Sequence, residues 1–264
     1  MVVGWADNAQ YQTRAFRWTE SGMMQNLGTL GGSKSHAYGV SADGSVVVGL
    51  ADNAQYQTRA FRWTESGGMQ DLGTLGGSES EAYGVSADGS VVVGWAENDQ
   101  NERRAFRWTE SGGMQDLGTL PGGSGSYGSY AIRVSADGSV VVGLAYNAEY
   151  HPRAFRWQSG VMVDLGTLGG SESHAYGVSA DGSVVVGWAD NDQNEQRAFR
   201  WQNGVMEDLN VTFAALLPPG SSLQWANAIS PDGRYIVGCG RNGPSGRSEG
   251  FLLDTVPEPA SATA

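Results

Sequence analysis

Five times along 264 residues the chain returns to VSADGSVVVG or a close variant, starting at Val40, Val85, Val134, Val178 and, as ISPDGRYIVG, at Ile229. A second phrase, R-A-F-R-W, keeps step with it. Its phenylalanine falls at Phe16, Phe61, Phe106, Phe155 and Phe199, with a degenerate sixth copy, EGF, at Phe251. The intervals are 45, 45, 49, 44 and 52 residues. A unit of this length cannot bury its own apolar face, so successive units must cover one another, and that requirement limits the folds open to the chain.

Each unit holds four short apolar segments divided by turn residues: a (AYGVSA), b (SVVVGWA), c (RAFRWT) and d (MQDLGTL). Asp-Gly separates a from b, the strongest short-range hairpin signal between strand-like runs. Ser-Gly or Ser-Gly-Gly separates c from d. The segments are rich in Val, Thr, Trp and Phe and too short for helices, so the chain reads as all-β. Val91, Val92 and Val93 in a row suit a strand covered on both faces. Phe106 and Trp108 alternate with Arg107, as in a half-exposed strand. Ala82 and Gly84 leave room for close backbone approach where units converge. Antiparallel four-stranded units of this period predict a β-propeller. A β-solenoid is the rival, but two hairpins per unit count against coils that all run one way.

The expected domain is 1–254, with six blades near 1–30, 36–75, 81–120, 130–168, 174–209 and 225–254. Residues 255–264 are expected to be a disordered tail. The chain opens inside segment b, which reads as a truncation, and ends after a segment c. The first and last blades are therefore expected to have three strands, and their junction to leave a seam. An unpaired edge there invites another chain, so the expected state is a monomer or a seam-mediated oligomer.

Charge narrows the partners. The formal net charge is -12 with a single lysine, Lys34, which disfavours nucleic acid and anionic membrane. Cys239 is the lone cysteine, so no disulfide forms within the chain. No apolar run is long enough to span a bilayer, and the start lacks the regions of a signal peptide.

The unit R-A-F-R-W-x-x-x-G-G-M-Q-D-L-G-T-L-G-G-S-x-S-x-A-Y-G-V-S-x-D-G-x-V-V-V-G resembles the bacterial extracellular HAF repeat over almost the whole chain, to about Leu253. The histidine that gives the family its name is Arg here in five copies and Glu249-Gly250 in the last. The tail from Thr255, TVPEPASATA, resembles the head of a PEP-CTERM sorting signal without its apolar helix and arginine cluster. The resemblance implies an extracellular or cell-surface setting and names no activity.

The recurring Asp43, Asp88, Asp137, Asp181 and Asp232 read as turn residues, because no histidine accompanies them and Asp-Gly turn chemistry accounts for both types. In a meander the b-c and d-a connections share one face. Their sequences vary most there, from ADNAQYQT to ADNDQNEQ and from GGSKSH to PGGSGSYGSY, and variable loops on a rigid frame are where binding resides. Two chemistries compete on that face. Asp190, Asp192 and Asn194, with Glu97, Asp99 and Asn101, resemble the opening of a calcium loop, though the expected glycine and distal glutamate are missing. Tyr11, Tyr56, Tyr127, Tyr146 and Tyr150 offer flat amphipathic contacts for a glycan or protein. His36 and His174 share one position in different blades. Arg133 replaces a segment-a glycine near the presumed axis, as a channel feature or a local distortion. No catalytic motif occurs. The expected function is a non-enzymatic binding or surface-structural module without a required cofactor. The alternatives are a calcium-dependent module or a hydrolase acting at the axis.

Overall fold

At each Asp-Gly the chain turns, and the turn is held by its own side chains. In the computed structural model, which describes residues 1–123 and 127–256, Gly89 adopts φ +73. The Asp88 carboxylate accepts from the Ser86 hydroxyl at 2.6 Å, the Ser90 amide at 3.0 Å and the Ser90 hydroxyl at 2.8 Å. Ser86 Oγ in turn accepts from the Val91 amide at 2.9 Å, the first residue of the next strand. The same arrangement recurs at Asp43, Asp137 and Asp181. The phrase that dominates the sequence is thus a self-capped hairpin.

Among the described residues the strands form six antiparallel sheets, each one blade. Blade 1 is β1 (Val2–Asp7), β2 (Thr13–Thr19) and β3 (Gly22–Asn26). Blade 2 is β4 (Gly31–Val40), β5 (Val46–Asn53), β6 (Thr58–Thr64) and β7 (Gly68–Asp71). Blade 3 is β8 (Gly76–Val85), β9 (Val91–Asn98), β10 (Arg103–Thr109) and β11 (Gly113–Asp116). Blade 4 is β12 (Ser129–Val134), β13 (Val140–Tyr146), β14 (Pro152–Gln158) and β15 (Val161–Asp164). Blade 5 is β16 (Gly169–Val178), β17 (Val184–Asn191), β18 (Gln196–Gln202) and β19 (Val205–Asp208). Blade 6 is β20 (Ser222–Ile229), β21 (Tyr235–Arg241) and β22 (Ser248–Asp254). Six blades with three-stranded first and last members is the expected count. Most of the proposed tail, from residue 257, lies outside the described residues.

Two sequence readings need correction. The stretches GGSKSH, GGSESE and GGSESH are not loops: they are the first halves of β4, β8 and β16, which start well before the alanine of segment a. Between blades 5 and 6 the chain makes one short helix, α1 (Leu209–Thr212), and a 3-10 turn, Ala214–Leu216, where only a connection was expected.

The core lies between blades. Val46 and Val48 of blade 2 pack on Val92, Ala96, Phe106 and Trp108 of blade 3, and this junction repeats around the molecule. Each strand b therefore buries alternate valines in opposite junctions, which explains the uninterrupted V-V-V. The glycine that follows is equally demanded, since a methyl on Gly94 would overlap the Glu81 carbonyl of the paired strand.

Polar stitches join the blades as well. Ser80, fully buried, accepts from the Ala60 amide at 2.9 Å and donates to the Gly73 carbonyl at 2.6 Å, both in the preceding blade. Ser35, Ser129 and Ser173 do the same. Near the axis the Ala42 amide donates to the Ala87 carbonyl, Ala87 to Ala136, Ala136 to Ala180, and Ala180 to Pro231. Pro231, which has no N–H, ends this chain of bonds.

Blades 1 and 6 are not packed like their neighbours. Val2 and Trp18 are 52% and 40% exposed, whereas Val47 and Trp63, their counterparts in blade 2, are 0% and 5%. On blade 6, Tyr235, Val237 and Leu252 are exposed in the same way. The seam expected from the sequence is open on both sides.

Candidate binding site at the axis

The innermost strands place one side chain each toward the axis, one residue before the position packed against the next blade. That position reads Tyr38, Tyr83, Ile132, Tyr176 and Asn227 in blades 2 to 6. Two residues earlier stand His36, Glu81, Tyr130, His174 and Trp225, nearer the b-c and d-a side. Together they form an aromatic mouth. Tyr38, Tyr83, Tyr130, Ile132, Arg133, Leu144 and Tyr146 line one half, with a volume of about 480 Å³. Ile132, Arg133, Tyr176, Trp188, Gln196, Trp225 and Asn227 line the other, also about 480 Å³. Each lies within the range of about 300–1,000 Å³ usual for small-molecule sites.

Hydrogen bonds fix the rings. Tyr83 donates to Glu81 at 2.8 Å and accepts from the Trp95 indole at 3.1 Å. Tyr176 accepts from the Trp188 indole at 3.2 Å, and Trp225 donates to Gln196 at 3.0 Å. Arg103 donates to Tyr130 at 3.2 Å and lies 4.4 Å over the Trp95 ring. Burial, with the Glu81 charge second, raises the pKa of Tyr38 and Tyr83, so these phenols stay neutral at physiological pH. His174 is stacked on Trp188 at 4.5 Å, and burial pushes its pKa down to about 4. His36 is lowered too, by burial first and then by Lys34. The mouth is therefore flat, rigid and largely uncharged.

Glu81 and Arg103 carry charge at the wall of the mouth and are hydrogen-bonded to Tyr83 and Tyr130; Arg133 carries charge without such a side-chain partner. It lines both halves, and its Nη1 group donates to the Ile132 carbonyl at 2.9 Å and the Tyr83 carbonyl at 3.4 Å. Its strand keeps the same bulge as the others, so no local distortion accompanies the arginine.

No family model matches this chain, and no curated protein matches it. Among solved structures it resembles TolB from Acinetobacter baumannii, with a TM-score of 0.59 and 15% identity over 96% of this chain and 60% of that one. It also resembles the β-propeller domain of the Trilobed protease from Pyrococcus furiosus, with a TM-score of 0.59 and 12% identity over 96% and 78%. A putative TolB from Agrobacterium tumefaciens gives 0.56 and 16% over 83% and 76%. The fold is a β-propeller. At these identities the likeness concerns fold alone, and the chain spans 60% of the length of the first of these structures.

On this propeller the residues singled out from sequence fall into three groups. His36, His174, Arg133 and Tyr146 stand at the mouth. Tyr127 and Tyr150 extend it outward along blade 4, with Tyr127 5.1 Å from Tyr146 and 5.8 Å from Tyr150. Tyr11 and Tyr56 stand apart at turn tips, 91% and 76% exposed.

The b-c connections of blades 1 to 5 differ in letters but not in backbone. In each, one asparagine receives two backbone amides: Asn98 Oδ1 accepts from Gln100 at 3.0 Å and Glu102 at 2.9 Å. Asn8, Asn53, Asn147 and Asn191 repeat the pattern. Three residues on, the backbone is left-handed, and Tyr11, Tyr56 and Tyr150 occupy that place at φ 56, 60 and 63, as Asn101 and Asn194 do at 58 and 57.

This geometry does not gather the proposed calcium ligands. Asp190 lies in β17 and Asn194 at the left-handed turn position. Glu97 is engaged by the Ser78 amide and hydroxyl at 3.2 and 2.9 Å. Asp192 and Asp99 lie beside the Gly169 and Gly76 backbones, and Asn101 mirrors Asn194. Among the described residues no group of three or more His, Cys, Asp or Glu side chains is placed to hold a metal ion. The turn's own asparagine does the organising that a cation would do in a calcium loop.

Sequence reasoning missed Tyr38, Tyr83, Tyr130, Tyr176 and Trp225. The available signal was the column reading Tyr, Tyr, Ile, Tyr and Asn beside the glycine that packs on the next blade.

Proposed function

We propose that the chain is a non-enzymatic binding module that takes a glycan at the axial mouth, on the face of the b-c and d-a connections. The convergence of rigid aromatic rings from blades 2 to 6 around one open cavity carries this reading. Flat rings with fixed polar tips stack on sugar faces and offer hydrogen bonds at their edges. The near-identity of the blades speaks against a catalytic constellation, which needs different groups in different roles. No helix of the described residues is long and apolar enough to cross a membrane. An extracellular or surface setting rests on the HAF-repeat resemblance. A glycan array run with and without chelator tests the reading: hits unaffected by chelator support it, and hits lost with chelator favour a calcium-dependent module instead.

Association of two copies is proposed through the seam. The exposed face of blade 6 offers Tyr235, Val237 and Leu252, and that of blade 1 offers Val2 and Trp18. The counterparts of Tyr235 and Val237 pack on those of Val2 and Trp18 at the internal junctions, so blade 1 of a second copy is the complementary occupant.

A further inference from the structure

Arg133 stands on the wall of the mouth in a chain of net charge -12 and, like eight other arginines of the chain, has no carboxylate partner among the described residues. The ion pairs join Arg17, Arg104, Arg153, Arg197, Arg200 and Arg234 to acidic partners; what sets Arg133 apart from the other unpaired arginines is that it lines both halves of the mouth. Its two hydrogen bonds both leave from Nη1 and reach backbone carbonyls. The Nε and Nη2 edge of the guanidinium is left without a protein acceptor among the described residues, and that edge matches a carboxylate in a two-pronged arrangement. The other blades carry Gly39, Gly84, Gly177 and Ala228 here, so the arginine is not required by the packing of the strand. It stands where the two halves of the mouth meet.

We infer that Arg133 receives a carboxylate of the ligand, and that the saccharide bound at the mouth is acidic, of the uronic-acid type. The inference rests on the reading of the mouth as a saccharide site. Arg133 is exposed to the open mouth, and the desolvation that lowers its pKa is offset by no acidic neighbour. Sugar rings stack on the tyrosines while the carboxylate pairs with the fork, and the neutral phenol oxygens of Tyr38 and Tyr83 accept from hydroxyls, the Tyr83 O–H being given to Glu81.

The test compares oligogalacturonate with its methyl ester by calorimetric titration of the full chain, for the wild type, Arg133→Gly and Arg133→Lys. Arg133→Gly restores the residue of the sister blades, so folding is expected to be kept, and near-UV circular dichroism checks it. The inference expects the acid to bind the wild type about tenfold or more tighter than the ester, in line with a charge-assisted pair. Arg133→Gly should erase that preference, so that acid and ester bind alike, and Arg133→Lys should retain part of it. Equal binding of acid and ester, or a preference that survives Arg133→Gly, overturns the inference and leaves the saccharide reading standing. Binding of neither form, with Arg133-dependent binding of a peptide bearing a free C-terminal carboxylate, overturns both.

Discussion

Asp43, Asp88 and Asp181 sit in the a-b turns with pKa values held down at about 2. The Ser45 amide leads at Asp43, and the Ser86 and Ser179 hydroxyls lead at the other two. A carboxyl whose folded pKa lies below the unfolded value of about 3.9 adds stability in full above that value and loses it as pH falls toward the folded pKa. Stability is therefore expected to drop between about pH 4 and pH 2, and Asp88→Asn should flatten that drop in denaturant titrations at several pH values. His174 acts higher on the scale: its pKa of about 4 means that protonation below about 6.5 opposes folding. Tyr56 makes a different point, since a bulky residue in left-handed backbone costs about 1–2 kcal/mol and its ring is 76% exposed. Tyr56→Asn, the choice of blades 3 and 5, is expected to stabilise the fold by about 0.5–1 kcal/mol in equilibrium unfolding. A loss of stability would show that the ring packs after all.

Strands β4, β8 and β16 begin with a stretch that reads as loop and folds as strand, where Ser80 and its counterparts are bound from two sides by the preceding blade. Ser80→Ala removes both bonds and leaves a buried amide and a half-buried carbonyl without their partner, at a cost of about 1–3 kcal/mol in chemical denaturation. Ser78→Ala in the same strand, whose partner is the side chain of Glu97, should cost well under that. This is also where the sequence was least informative. Asp-Gly and V-V-V announce hairpins through purely local chemistry. A serine in GGSES announces nothing until the neighbouring blade supplies an alanine amide and a glycine carbonyl. The mouth was hidden for a related reason: Tyr83 recurs in the phrase AYGV, and a repeated residue reads as part of the shape. Arg133 was legible because it broke the repeat.

Across the whole molecule, similar junctions leave two of their faces uncovered at the seam and one aromatic cavity at the axis. The 264-residue chain is expected to self-associate with rising concentration in sedimentation velocity, and Trp18→Glu should return it to monomer. A single monomeric species at all concentrations would count against the seam. Blade number and hairpin order followed from period and turn chemistry, whereas the axis is built by residues far apart in sequence and becomes visible only when the blades are arranged around it. The claim that this cavity is the ligand site is tested most directly by titrating one array-positive glycan into the wild type, Tyr38→Ala/Tyr176→Ala and Tyr11→Ala/Tyr56→Ala. Losing two stacking rings should weaken binding about tenfold in the first pair, and the turn-tip pair should bind as the wild type does. The opposite result, with the mouth pair unaffected and the turn-tip pair impaired, would move recognition off the axis.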